Sequence, residues 1–269
     1  MSRIASVFSQ PGHIALIAYV TVGYPSIEAT LKVVPLLASS GCDIVELGIP
    51  FSDPLADGVT IQKSSFCALQ NGVSPQLCLE TAKQLSQIVE MPLVFMTYFN
   101  PVFSYGLEAF CAACTRSGID GLIVPDLPPE EGRELEAISQ RQGLDLIYLL
   151  APTSTKQRMR LVAERSRGFI YLVSVTGVTG VRERLPADLE AFVARVRKVA
   201  TQPLCVGFGI STPEQARQVA RIADGVIVGS RIIQLMEVDD DLLSVSSFIK
   251  RLRHALDGSR QSGHQSGTS

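Results

Sequence analysis

Asp43-Ile44-Val45-Glu46-Leu47-Gly48-Ile49-Pro50-Phe51-Ser52-Asp53-Pro54-Leu55-Ala56-Asp57-Gly58 joins a short apolar run to a proline-stiffened loop, with carboxylates in both parts. Residues 43–47 read as a strand, because the run is short, partly β-branched and closed by Gly48 and Pro50. Side chains alternate along a strand, so Ile44 and Glu46 share one face while Val45 and Leu47 share the other. A Glu on the inner face of such a strand is costly unless it has a partner or a task. It is either a structural residue tied to a donor, or an acid–base group at a strand's C-terminal end with Asp57 as companion.

Working outward, runs of the same kind recur at 15–22, 92–97, 121–124, 144–149, 168–173, 203–206 and 225–228, which makes eight in all. Helical patterns separate them. Residues 28–39 place Leu31, Val34 and Leu37 on one face, and Gly41 ends the pattern. A long loop follows the second strand, and further helices are predicted over 75–89, 107–117, 130–142, 156–166, 189–200, 213–222, 232–236 and 242–256. Strands alternating with helices pair in parallel, and eight such units define an α/β fold of the (β/α)8 TIM-barrel type. The competing doubly wound sheet would show a GxGxxG turn after its first strand, where this chain has Thr21-Val22-Gly23-Tyr24-Pro25. No interdomain linker interrupts the pattern. The expectation is one catalytic domain over 1–257 and a disordered Ser-, Gly- and Gln-rich tail over 258–269.

With 269 residues, 46% of them apolar, the chain can fill such a core. A net charge of -2, with the signs interspersed, gives no footprint for nucleic acid and no basic membrane helix. Met1-Ser2-Arg3-Ile4-Ala5 does not read as a secretory leader and no apolar run is long enough to span a bilayer, so the expected location is cytoplasmic. Cys111 and Cys114 have CxxC spacing but lie in a helical pattern with no second pair and no nearby His. They read as helix packing rather than a metal or redox site, and His13, His254 and His264 form no metal pair.

Barrel active sites form at the C-terminal mouth of the strands. Glu46 lies there if Val45 and Leu47 face the helices. Desolvation would raise its pKa toward neutrality, suiting it to give and retake a proton, while a companion nearer water stays ionised. Spacing does not choose between Asp53 and Asp57 for that companion. Gly207-Phe208-Gly209-Ile210-Ser211 and Val228-Gly229-Ser230 follow the last two strands, where barrels often hold phosphate on backbone amides and a helix N-terminus. The plainer alternative is that these glycines end strands and Ser211 starts a helix. Residues 174–184 form a long loop with glycine hinges, read as a lid or as an ordinary surface loop. Tyr19, Tyr98 and Tyr171 could line an apolar pocket, or belong to the core.

The block 46–58, together with Tyr98-Phe99-Asn100-Pro101, Gly177-Val178-Thr179-Gly180 and 207–215 in the same order, resembles the tryptophan synthase alpha chain family over nearly the whole length. The resemblance implies a carbon–carbon lyase that cleaves indole-3-glycerol phosphate to indole and glyceraldehyde 3-phosphate. The chain itself would use neither metal nor cofactor. By the same resemblance Glu46 and Asp57 are catalytic, Tyr19, Met96, Tyr98, Tyr171, Thr179 and Phe208 face the substrate, and Gly180, Gly209, Gly229 and Ser230 hold its phosphate. It also implies a pyridoxal-phosphate beta chain as partner in an α2β2 heterotetramer, met through 50–58 and the segment around Asn100 and Pro101, with indole passed between them. Tyr19 stands where phenylalanine is frequent, Met96 where an aliphatic is frequent, and Tyr24 where aspartate is usual. Two other readings compete. One is another sugar-phosphate barrel enzyme, although the lack of a strand-end lysine argues against a Schiff-base aldolase. The other is an allosteric activator of the beta chain with weak turnover of its own.

Overall fold

In a computed structural model the described residues are 1–173, 188–207, 209–238 and 241–258. Nine strands pair in parallel in the order β5-β4-β3-β2-β1-β9-β8-β7-β6. They are β1 (Ala15–Thr21), β2 (Ile44–Gly48), β3 (Leu93–Met96), β4 (Gly121–Ile123), β5 (Asp145–Ile147), β6 (Leu149–Leu150), β7 (Ile170–Val173), β8 (Leu204–Gly207) and β9 (Gly225–Val228). The two ends of that order are one stretch of chain. The expected fifth strand is interrupted at Tyr148, with β5 paired to β4 and β6 paired to β7. The Tyr171 amide donates to the Tyr148 carbonyl at 3.0 Å across the interruption. The architecture is thus the predicted (β/α)8 barrel, with one of its eight staves in two pieces.

Side-chain alternation builds two cores. Leu16, Ala18 and Val20 of β1, with Val45 and Leu47 of β2, belong to the outer cluster against the helices. Ala15, Ile17, Ile44, Val94, Ile123, Ile147, Phe169, Tyr171, Cys205 and Ile227 fill the barrel. A short α1 (Arg3–Val7), absent from the sequence-based expectation, stoppers the N-terminal end of the ring. Its Ile4 joins the inner core, and the ring of Phe8 lies 6.1 Å from that of Phe169. Arg3 bonds both oxygens of Asp120 at 2.9 Å.

The helices follow the pattern with local capping reasons. In α2 (Ile27–Ser39) the Ser26 side chain accepts from the Ala29 amide, and in α4 (Pro75–Leu85) Ser74 accepts from Leu77 with Pro75 in the first turn. One expectation fails: the long loop after β2 contains α3 (Val59–Gln70). Its inward residues are Ser64, Ser65 and Ala68, while Val59 and Phe66 face solvent, so no apolar stripe announces it. After β3, α5 (Phe99–Tyr105) occupies the Tyr98-Phe99-Asn100-Pro101 segment, and α6 (Leu107–Arg116) buries Cys111 and Cys114. The pattern at 130–142 resolves to α7 (Arg133–Gln142). Next come α8 (Lys156–Arg165), α9 (Leu189–Arg197), α10 (Pro213–Ala220), α11 (Ser230–Met236) and α12 (Leu243–Gly258). The expected lid at 174–184 and the tail from 259 lie outside the described residues.

Ile4 touches the sites where Gly121 and Gly168 would carry a Cβ, each 2.8 Å from one of its methyl groups, so the plug fits closely. Ile4→Ala is expected to cost about 2–5 kcal/mol, read as a lower urea midpoint at unchanged slope.

Candidate active site

Glu46 points into the barrel. It pairs in register with Tyr19 on one side and Val94 on the other, above Ile44 on the same face. It is fully buried, and neither carboxyl oxygen has a hydrogen-bond partner among the described residues. Burial alone lifts its pKa from the ordinary 4.5 to about 8, so near pH 7 the group keeps its proton.

Asp57 sits where the loop after β2 returns over the mouth, just before α3. The Tyr98 hydroxyl donates to Asp57 Oδ2 at 3.1 Å and accepts from the Ala56 amide at 3.0 Å, pinning the loop in two places. The Phe51 ring stacks on Tyr98 with centroids 5.1 Å apart. Burial raises the Asp57 pKa to about 6, against the lowering effect of the Tyr98 hydrogen bond. Asp53, the competing acid, is exposed and bonded to its neighbour Ser52. Geometry therefore brings Asp57, not Asp53, to the site.

Two tyrosines join the carboxyls. Tyr19 and Tyr171 are both buried, and both phenols are pushed upward first by desolvation and then by the charges of Asp57 and Glu46. Glycines make room for them. A Cβ on Gly48 would stand 2.1 Å from the Tyr19 hydroxyl, and one on Gly207 would stand 2.3 Å from that of Tyr171. The Tyr19 hydroxyl is 3.3 Å from Thr21 Oγ1, which is 2.6 Å from Ser64 Oγ of α3. Ser64 donates to the Ile61 carbonyl at 2.8 Å, which fixes the direction of the chain. Thr21 donates to Ser64 and Tyr19 donates to Thr21, so toward the rest of the site the Tyr19 oxygen is an acceptor. Sequence reading missed Thr21 and Ser64. Strand parity places Thr21 with Tyr19, but nothing in the sequence marks Ser64. Met96 lines the inner cluster, half-buried, at the end of β3.

The two glycine motifs differ in what they leave free. At α10 a capping box is complete, with Thr212 accepting from the Gln215 amide, and the Ser211 and Thr212 amides donate to Gln215 Oε1. Those amides are committed within the chain. α11 begins at Ser230 behind Gly229, with no side-chain cap. No side chain among the described residues caps that start, as an anion site requires. Gly209 takes a left-handed φ of 62° with open space where a Cβ would go. Thr179, Gly180 and Phe208 lie outside the described residues. Among the described residues, no cluster of His, Cys, Asp and Glu could hold a metal, and no helix is long and apolar enough to cross a membrane.

A closed parallel barrel with two carboxylic acids of opposed protonation at its C-terminal mouth is the framework of a (β/α)8-barrel acid–base enzyme. The family model described as tryptophan synthase alpha chain matches residues 6–256. The tryptophan synthase alpha chain of Dehalococcoides mccartyi is 58% identical over 257 residues, covering 96% of this chain and 100% of the relative. That of Geobacter sulfurreducens is 48% identical, covering 95% and 99%. A Mycobacterium tuberculosis tryptophan synthase structure superposes with a TM-score of 0.89 at 38% identity, covering 95% of this chain and 98% of that one. The chain belongs to the tryptophan synthase alpha chain family, whose members are carbon–carbon lyases.

A raised carboxyl pKa stabilises the fold fully below the unfolded value near 4.5, and that contribution is lost as pH climbs through about 8. The wild type should therefore lose stability relative to Glu46→Gln across this window, measured by urea unfolding at successive pH values.

Proposed function

We propose that Glu46 and Asp57 carry the retro-aldol cleavage of indole-3-glycerol phosphate to indole and glyceraldehyde 3-phosphate within one catalytic domain over 1–257. The observation that carries this reading is the buried Glu46 carboxyl, without a hydrogen-bond partner among the described residues, facing a mouth where Asp57 is held by Tyr98. Glu46, protonated near neutrality, delivers its proton to C3 of the indole ring, and the ring becomes a cation centred on its nitrogen. Asp57, ionised, accepts a hydrogen bond from the indole N–H and stabilises that charge as it develops. Glu46, now a carboxylate, removes the proton from the hydroxyl on the carbon joined to C3. The carbon–carbon bond breaks, its electron pair neutralises the ring, and indole and an aldehyde result. Glu46 ends protonated, as it began.

Tyr19, Met96, Tyr98 and Tyr171 shape the apolar wall around the ring, with Phe208 and Thr179 as further contacts. Gly229 and Ser230, with Gly209 and Gly180, hold the phosphate. No cofactor of this chain takes part, and pyridoxal phosphate belongs to a beta chain that receives the indole in an α2β2 heterotetramer in the cytoplasm. Docking on that partner is supported by large apolar side chains exposed near the mouth. Leu55 is 93% exposed and Phe103 65%, on the segments where the family resemblance implies contact.

The direct test is indole release from indole-3-glycerol phosphate by the purified chain, with and without beta. Glu46→Gln should lower kcat by at least about a hundredfold, and an unchanged rate overturns the acid–base assignment. Asp57→Asn should lower turnover more than it weakens substrate binding, and a parallel loss in both would remove its transition-state role. The rate needs Asp57 ionised and Glu46 protonated. For the free enzyme, kcat/KM should rise through about pH 6 and fall through about pH 8, with the upper limb missing in Glu46→Gln.

A further inference from the structure

The start of α3 decides where Asp57 stands, because Asp57 directly precedes its N-cap Gly58 and that cap makes no side-chain bond. Gln62 Nε2 of the first turn donates to the Asp57 carbonyl at 2.9 Å, so Asp57 moves with the helix, and the helix is tied to the barrel at two further places. Inside the barrel wall the Thr21–Ser64 contact holds it to β1. A second tie lies at the rim. Glu237, the C-cap residue of α11, accepts from the hydroxyl of Tyr24 and, at 3.1 Å, from Nζ of Lys63 in α3. Tyr24 is buried in the connection between β1 and α2. One carboxylate thus joins three segments: the post-β1 connection, the helix behind Asp57, and the helix that opens at Ser230.

The partners are matched for this. The Tyr24 hydroxyl and, after it, the Lys63 ammonium hold Glu237 below the ordinary carboxylate range, so it is ionised at neutral pH. The Lys63 ion pair is exposed and adds little energy by itself; it acts by direction, from a carboxylate that the buried phenol already fixes and between helices α3 and α11 that pack directly on one another.

We propose that Glu237 is a positioning residue, fixing the Asp57-bearing start of α3 relative to α11 so that substrate held by its phosphate end meets Asp57 in register. The inference rests on the lyase reading for its effect on rate, and on packing alone for its effect on the loop. Small displacements of a catalytic group carry large rate penalties, which gives the expected size.

Glu237→Ala should lower kcat about tenfold, with affinity for inorganic phosphate within about twofold of wild type. Glu237→Gln, which keeps an acceptor for Tyr24, should recover part of the loss. Tyr24→Phe added to Glu237→Ala should change kcat by less than about twofold, since both remove one connection. Amide exchange over 53–63 should quicken in Glu237→Ala while that of α11 stays unchanged. A kcat within about twofold of wild type, unchanged exchange over 53–63, or phosphate affinity falling in step with kcat would each overturn the proposal. If the wild type forms no indole, the lyase reading falls, and exchange over 53–63 decides the role of Glu237 by itself.

Discussion

The barrel is organised around an acid that is fully buried and has no hydrogen-bond partner among the described residues. Glu46 occupies a position in β2 that, by strand parity, belongs to the inner core of Ile44, Val94 and Ile17. Burial without a partner favours the neutral form, so the site stores a proton near pH 7 instead of a charge. That state survives only if the strands on either side exclude water, and the register of β1, β2 and β3 supplies the walls. The α1 stopper matters for the same reason, because it closes the far end of the ring.

The second carboxylate is raised by the same burial but held lower by a donor. Asp57 arrives on a loop and receives a phenol hydrogen bond, which offsets part of the effect of burial. Two carboxyls within one mouth are therefore shifted to different extents, Glu46 to about 8 and Asp57 to about 6, by their surroundings and not by residue type. Tyr98 links the two levels of organisation. It occupies the N-cap position of α5, stacks on Phe51 and binds Asp57, so the segment after β3 and the loop after β2 are positioned together.

Much of this was legible in the chain. The inward face of Glu46 followed from alternation through Ile44, Val45 and Leu47, and the eight-unit rhythm dictated the barrel. The features that escaped share a physical cause: they are made by contacts with no local periodicity. α3 turns Ser64, Ser65 and Ala68 inward because it packs close to β1, where large side chains would not fit, and so it lacks an apolar stripe. The choice between Asp53 and Asp57 needed Tyr98, which is distant in sequence. The interruption at Tyr148 is set by pairing with two different neighbours, a property of the closed ring and not of the run from 144 to 149. The two glycine motifs look alike in sequence, whereas Gln215 takes the Ser211 and Thr212 amides after β8 and no side chain caps the start of α11 among the described residues, a difference set by the capping box of α10.

The glycine notches bear on how such a sequence can drift. Gly48 and Gly229 both border Tyr19, with a Cβ on either standing 2.1 Å or 3.1 Å from it, and Gly207 borders Tyr171 in the same manner. Alanine at 48 would meet a phenol anchored through Thr21, so that step is closed while the tyrosine remains. Loss of the hydroxyl alone would not open it, because the ring carbons Cζ and Cε2 stand 2.6 and 2.8 Å from the same point; the ring itself must give way to a smaller side chain. The order in which these positions change is thereby constrained: the aromatic must yield before the glycine does, and lineages that keep Tyr19 inherit Gly48 as a fixed companion.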